Sequence, residues 1–244
     1  MMTCGRCRRA GWREGLRWIM RDLTDDRIRA HLEAYFQVPV PAERDRVSSF
    51  DYCFNHFQVF RERGEAVRLA APEVLELSCL HLGFYLASWG MMRGSSELLQ
   101  RSLRHLVPVL EVIATTPDDL WALDVPDYTP EAGARLLVLE EQIRRALGGA
   151  REATQTLSTK VMLGVFGNVP AFDTNFCAGS GLRVLSARAV SDLRDFHARH
   201  AGALAGPVYT RDFLTGAFTG RRYPQAKLLD MVFFLEGATS FNSA

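Results

Sequence analysis

Lysine is almost missing from these 244 residues: Lys160 and Lys227 stand against 27 arginines. A sequence so biased toward guanidinium keeps an ammonium where a compact cation, or one able to give up its proton, serves better. Net charge is equally scarce. The 29 basic and 28 acidic side chains leave a formal charge of +1 at pH 7, so no global field steers the chain to nucleic acid, and any such binding face has to be a local patch. Also lacking is an N-terminal segment with a long apolar core and a small-residue cleavage site, which implies a cytoplasmic address. The longest apolar stretch, 74–92, carries Glu76 and His81 and is broken by Gly83 and Gly90. That pattern excludes a membrane span and predicts a central helix buried nearly all round.

Cysteine is sparse and odd in number. Cys4, Cys7, Cys53, Cys79 and Cys177 lie mostly in apolar surroundings, as buried free thiols of a reducing compartment do. Cys4 and Cys7 have the spacing of a zinc knuckle, but no second pair stands at usable distance. His197 and His200, three apart on one helix, lack a third ligand and are read as structural. No metal site and no cofactor are expected. Residues 1–19 form a basic extension, and Met20 opens a stretch that reads as a natural translation start, followed by a helical domain over 20–244.

Strand signals are nearly absent, and the periodic segments read as helix. Thr24 or Asp25 caps one to about Phe36, and Ser48 or Ser49 another to about Arg63. Pro72 suits the first turn of a helix reaching about Trp89, and Ser95 or Ser96 opens one that Pro108 should kink or end. Thr129-Pro130 starts an amphipathic helix with Ala132, Leu136, Leu139, Ile143 and Leu147 on one face, stopped by Gly148-Gly149. Further helices are predicted over about 154–166 and 186–200, and from Pro224 to about Leu235. The fold class is all-α, with roughly eight to ten helices in one compact domain or in two lobes with a cleft near 85–96 and 158–176. The predicted loops are 37–46, 116–129 and 201–222. The last, rich in glycine and proline, is long enough to carry function.

Two constellations carry chemistry. In the first, Lys160 lies among Val161, Met162 and Leu163, and Asp173 follows the turn Pro170-Ala171-Phe172. A covered lysine can snorkel to a carboxylate or serve as a base, nucleophile or close donor. An aspartate after such a turn caps the next helix, and a cap is also a carboxylate held rigidly beside a cleft. In the second, Trp89, Arg93, Ser95 and Ser96 occupy a glycine-punctuated loop where the apolar helix ends. Arg93, the two hydroxyls and nearby amides suit a phosphate, and Trp89 suits a stacked base. The same residues also read as a core tryptophan, a cap and a surface arginine.

The run LGVFGNVPAFDTNF, 163–176, resembles the segment of the helix-hairpin-helix DNA glycosylase superfamily in which a small-residue helix ends, a short loop with proline follows, and an Asp-Thr-His or Asp-Thr-Asn tripeptide opens the next helix. The resemblance covers about twenty residues, and AREATQTL at 150–157 stands where the family has its glycine-rich hairpin. It implies an all-helical enzyme acting on DNA, with Asp173 as the catalytic carboxylate, Lys160 positioning it, and Phe172 and Asn175 beside the pocket. Lys160 stands closer to the aspartate than the nucleophilic lysine of bifunctional members, so water is the expected nucleophile. A roomy polar pocket would suit a bulky modified base of the kind in modified phage genomes, and would make the chain a defence enzyme. The rival expectations are a non-catalytic helical interaction protein and a nucleotide- or phosphate-binding enzyme centred on Arg93 to Ser96.

Overall fold

The computed structural model describes residues 20–36, 47–94, 96–148 and 153–241. Its architecture is all-α. Eleven α-helices occur among the described residues: α1 (Asp25–Phe36), α2 (Ser48–Glu62), α3 (Pro72–Ser88), α4 (Val107–Thr115), α5 (Asp118–Ala122), α6 (Pro130–Leu147), α7 (Gln155–Val165), α8 (Thr174–Ser180), α9 (Ala187–Arg199), α10 (Ala201–Leu204) and α11 (Gln225–Phe241). One antiparallel hairpin, β1 (Tyr209–Arg211) with β2 (Phe218–Arg222), is the only sheet among them. The basic extension 1–19, the predicted loop 37–46 and Ser95 lie outside the described residues.

Capping chemistry places the helices that carry the site. Thr129 Oγ1 accepts the Ala132 N–H to start α6, Thr154 Oγ1 accepts the Leu157 N–H to start α7, and Ser186 Oγ the Ala189 N–H to start α9. Asp124 does the same at a distance. Its carboxylate receives the Gln225 and Ala226 N–H groups and so caps α11 from a turn 101 residues earlier in the chain. Burial raises the pKa of Asp124, with the N–H groups of Gln225, Ala226 and Val125 working against that rise.

Glycines decide how closely α8 meets α11. A Cβ on Gly179 would overlap the Phe233 carbonyl, and one on Gly237 would overlap the Asn175 carbonyl. Backbone therefore rests directly on backbone at two points, which sets Asp173, just ahead of α8, against the middle of α11. Gly164 plays a similar part on α7, where the Tyr85 ring of α3 occupies the space of a side chain.

Five sequence expectations change. Neither Ser48 nor Ser49 caps α2, since both lie inside it behind Val47. Pro108 neither kinks nor ends a helix: residues 97–106 form two short 3-10 turns, and Pro108 sits in the first turn of α4, where its missing N–H costs nothing. The segment 116–129 is not open loop, since it holds α5 and a 3-10 turn. The segment 201–222 contains α10 and the hairpin. Finally, α3 is not buried all round, for Leu77, Leu80 and Phe84 form an exposed apolar stripe along it. No helix among the described residues is long and apolar enough to cross a membrane.

Candidate functional site

The loop that carries Asp173 is buried, so each of its backbone polar groups needs a partner. Side chains from several elements supply them. Gln58 of α2 donates to the Val165 carbonyl at 2.9 Å, and Tyr128 donates to the Asn168 carbonyl at 2.5 Å. The Ala171 N–H reaches Asp230 Oδ1 at 3.1 Å, and the Phe172 N–H reaches Thr159 Oγ1 at 3.0 Å. Thr156 Oγ1 donates to the Phe172 carbonyl. Proline at 170 and the left-handed Gly167, at φ 67°, shape the turn, with Pro224 and Phe54 filling the space where a residue-167 side chain would stand. A segment fastened this often presents the next side chain in one geometry.

That next side chain is Asp173. Its Oδ1 accepts the Phe176 N–H at 2.9 Å, capping α8, while Oδ2 takes the Lys160 ammonium at 2.6 Å. Capping and ion pairing, both readable from the sequence, occur together here. The Lys160 side chain is only 2% exposed and Asp173 15%, so the ammonium is shielded from water and the aspartate keeps a small share of its side chain in contact with it. Lys160 Nζ also lies over the Trp89 ring, 4.9 Å from its centroid, a cation–π contact strengthened by the loss of water. The first constellation and the tryptophan of the second therefore form one cluster.

Sequence reasoning missed the rest of it. The chain's other lysine, Lys227, lies over the same Trp89 ring at 5.2 Å and over the rings of Phe50 and Tyr35 at 4.8 and 5.2 Å. It donates to Asp230 Oδ2 at 3.1 Å and Tyr35 Oη at 3.2 Å. Both lysines are thus buried, paired with an aspartate, and turned toward one indole. The two pairs are joined through the loop, because Asp230 also holds the Ala171 N–H, two residues before Asp173. The buried Tyr85 completes the neighbourhood; burial, then Asp230 and other nearby groups including Asp173, raise its pKa far above the ordinary tyrosine value, keeping the hydroxyl protonated. The scarcity of lysine, which singled out Lys160, marks Lys227 equally.

Arg93 and Ser96 stand one step away. They line a cavity of about 310 Å³ with Gly90, Glu97, His105, Thr154 and Leu157. Gly90 follows Trp89 directly, and Leu157 is one helical turn before Lys160. Arg93 is solvent-exposed with its guanidinium over Gly90, and Ser96 Oγ accepts the Leu99 N–H at 3.3 Å. Phe172 is buried against Phe176, with ring centroids 5.0 Å apart, so it is wall rather than an open surface. Asn175 is half-buried in the first turn of α8, its carbonyl pressed on Gly237.

Chemically, the arrangement offers a fixed carboxylate edge, two ammonium groups on an indole platform, and an exposed guanidinium beside a cavity. No group of three or more His, Cys, Asp or Glu side chains able to hold a metal occurs among the described residues. His197 reaches Gln225 at 3.2 Å, while His200 reaches Asp25 at 2.7 Å, so the two histidines serve different contacts. No family model, curated protein or solved structure matches this chain.

Proposed function

We propose that the chain is a monofunctional DNA glycosylase, cleaving the N-glycosidic bond of a nucleotide turned out of the helix. The observation that supports this best is the Lys160–Asp173 pair at 2.6 Å, with the lysine buried and set over Trp89 and the aspartate side chain 15% exposed. Glycosidic cleavage develops positive charge on the sugar ring, and a fixed anion beside C1′ stabilises it where water is excluded. In this reading Asp173 faces that charge and orients the water whose oxygen bonds C1′ as the C1′–N bond breaks. One water proton goes to the leaving base, and the other stays on the oxygen as the C1′ hydroxyl of the abasic sugar.

Lys160 holds Asp173 by its ammonium, and Trp89 stacks on the base or closes the pocket behind it. Arg93, with Ser96 nearby, grips a phosphate beside the 310 Å³ cavity. A bulky modified base of the phage type is the proposed substrate class, which gives the enzyme a defensive role. That cavity is also what a nucleotide- or phosphate-binding enzyme centred on Arg93 and Ser96 would use.

Incubating the full chain with unmodified DNA and with phage-derived modified DNA, then counting abasic sites, tests the reading. Abasic sites are expected with the modified DNA, and no covalent adduct on borohydride treatment. Excision that persists in Asp173→Asn removes the carboxylate from the mechanism, and an adduct lost in Lys160→Ala makes lysine the nucleophile.

A further inference from the structure

The segment 201–222 folds into a hairpin whose tip holds apolar side chains in water. Leu214 is 88% exposed, Phe213 68% and Phe218 63%. This is not a loose loop. Asp212 Oδ1 accepts the Leu214 and Thr215 N–H groups and the Thr215 hydroxyl, and the Arg211 guanidinium donates to the Gly216 carbonyl at 3.0 Å. The base of the hairpin is fastened to α2: Asn55 donates to the Arg211 carbonyl, Arg221 pairs with Glu62, and Asp51 accepts the Arg211 N–H and the Tyr223 hydroxyl. A turn built this firmly could have carried polar residues at no cost to itself, so the exposed Leu214 and Phe218, with Phe213 set edge-on to Tyr52 of α2 at 5.0 Å between centroids yet still 68% exposed, call for a partner.

Cations flank them. The Arg211 guanidinium lies 4.2 Å from the Phe218 centroid, and Arg222 lies 6.0 Å from the Tyr209 centroid. Neither makes an ion pair among the described residues, whereas Arg221 is already neutralised by Glu62. The tip's one carboxylate, on Asp212, is turned inward onto the turn's own N–H groups. The surface therefore combines apolar and aromatic faces with available positive charge, the composition that binds exposed bases and their phosphates.

We propose that this hairpin is a stacking surface for unpaired DNA bases, with Phe213, Leu214 and the Arg211–Phe218 stack meeting bases and Arg222 meeting a phosphate. The choice of DNA as partner rests on the glycosylase reading above. A protein partner fits less well, because three side chains supply little of the roughly 800 Å² that each side of a stable protein interface buries. A membrane is the other outcome, which the vesicle arm below reads.

Fluorescence anisotropy of the full chain on a labelled single-stranded oligonucleotide and on a duplex with an unpaired bulge tests the proposal, with vesicles of anionic phospholipid as a parallel arm. Phe213→Ser with Leu214→Ser is expected to weaken DNA binding tenfold or more at unchanged melting temperature. The single variant Leu214→Ser, at the most exposed position, is expected to weaken it severalfold and guards against misfolding of the double variant. Arg222→Ala should lower the salt slope by about one. Wild-type affinity in the hairpin variants overturns the proposal, and so does vesicle binding that these substitutions abolish while DNA binding persists. If hairpin variants bind DNA normally while wild type excises base, only this proposal fails. If wild type neither binds DNA nor excises base, the glycosylase reading fails with it.

Discussion

At the scale of single residues, the buried titratable groups give opposite and measurable pH effects. Burial, reinforced by the stacked ring of His81 at 4.3 Å, lowers the pKa of His56 from 6.5 to about 3. The unfolded chain therefore binds a proton there between about pH 6.5 and 3 that the native chain refuses, and His56 withdraws stability as pH falls through that window. Asp51 runs the other way. Burial raises its pKa from 3.8 to about 6, so the native state holds the extra proton, and its contribution to stability grows as pH falls from about 6 to 4. Melting temperatures at pH 7.5 and 5 should show a smaller acid loss in His56→Gln than in wild type and a larger one in Asp51→Asn; equal losses in all three would remove both groups from the balance. Lys227 can be judged by stability too. Removing one partner of a buried pair leaves the other charge uncompensated, so Lys227→Met should cost about 3–5 kcal/mol in chemical denaturation. Adding Asp230→Asn should recover much of that, since the amide oxygen still accepts the Ala171 N–H while no lone charge remains.

At the scale of elements, packing of α8 on α11 decides where Asp173 stands. Gly179→Ala places a methyl group in the Phe233 carbonyl, which only separation of the two helices can relieve. A cost of about 3 kcal/mol is expected, or roughly 6–12 °C in melting temperature for a chain of this size, with excision falling by a larger factor than stability alone explains because the carboxylate moves. A Gly179→Ala variant that melts like wild type would contradict the close approach. Most elements were legible in the sequence because their signals are local: Thr129, Thr154, Asp173 and Ser186 all cap where their spacing predicts. What was not legible depends on partners far along the chain. Nothing near Pro108 tells that the residues before it form 3-10 turns, and nothing near Leu77, Leu80 and Phe84 tells that no element among the described residues covers them. The candidate site divides in the same way. Lys160 and Asp173 are 13 residues apart and could be paired on paper, whereas Lys227 and Asp230 join them only through α11, whose position is fixed by Gly179, Gly237 and the distant cap Asp124.

On the scale of the whole molecule, a chain whose charges balance to a net +1 would, under the proposed function, have to bind DNA by local features. Arg93 beside the cavity and Arg222 on the hairpin are separate contacts in this account, so their effects on DNA affinity should add. Arg93→Ala and Arg222→Ala should each lower the salt slope by about one, and the double variant by about two. Additivity follows because the two positions share no contact; a double variant no weaker than either single would place both arginines on one phosphate or on none. The central claim is that Asp173, held by Lys160 and the α8 N-terminus, faces charge developing on a sugar. Single-turnover excision on phage-derived modified DNA, comparing wild type with Asp173→Asn at matched DNA occupancy and confirmed folding, measures that claim directly. A loss of at least a hundredfold in rate is expected with DNA affinity little changed, because the amide keeps the size and cap but not the negative charge. A wild-type excision rate in Asp173→Asn, with the protein folded and the DNA bound, would contradict it.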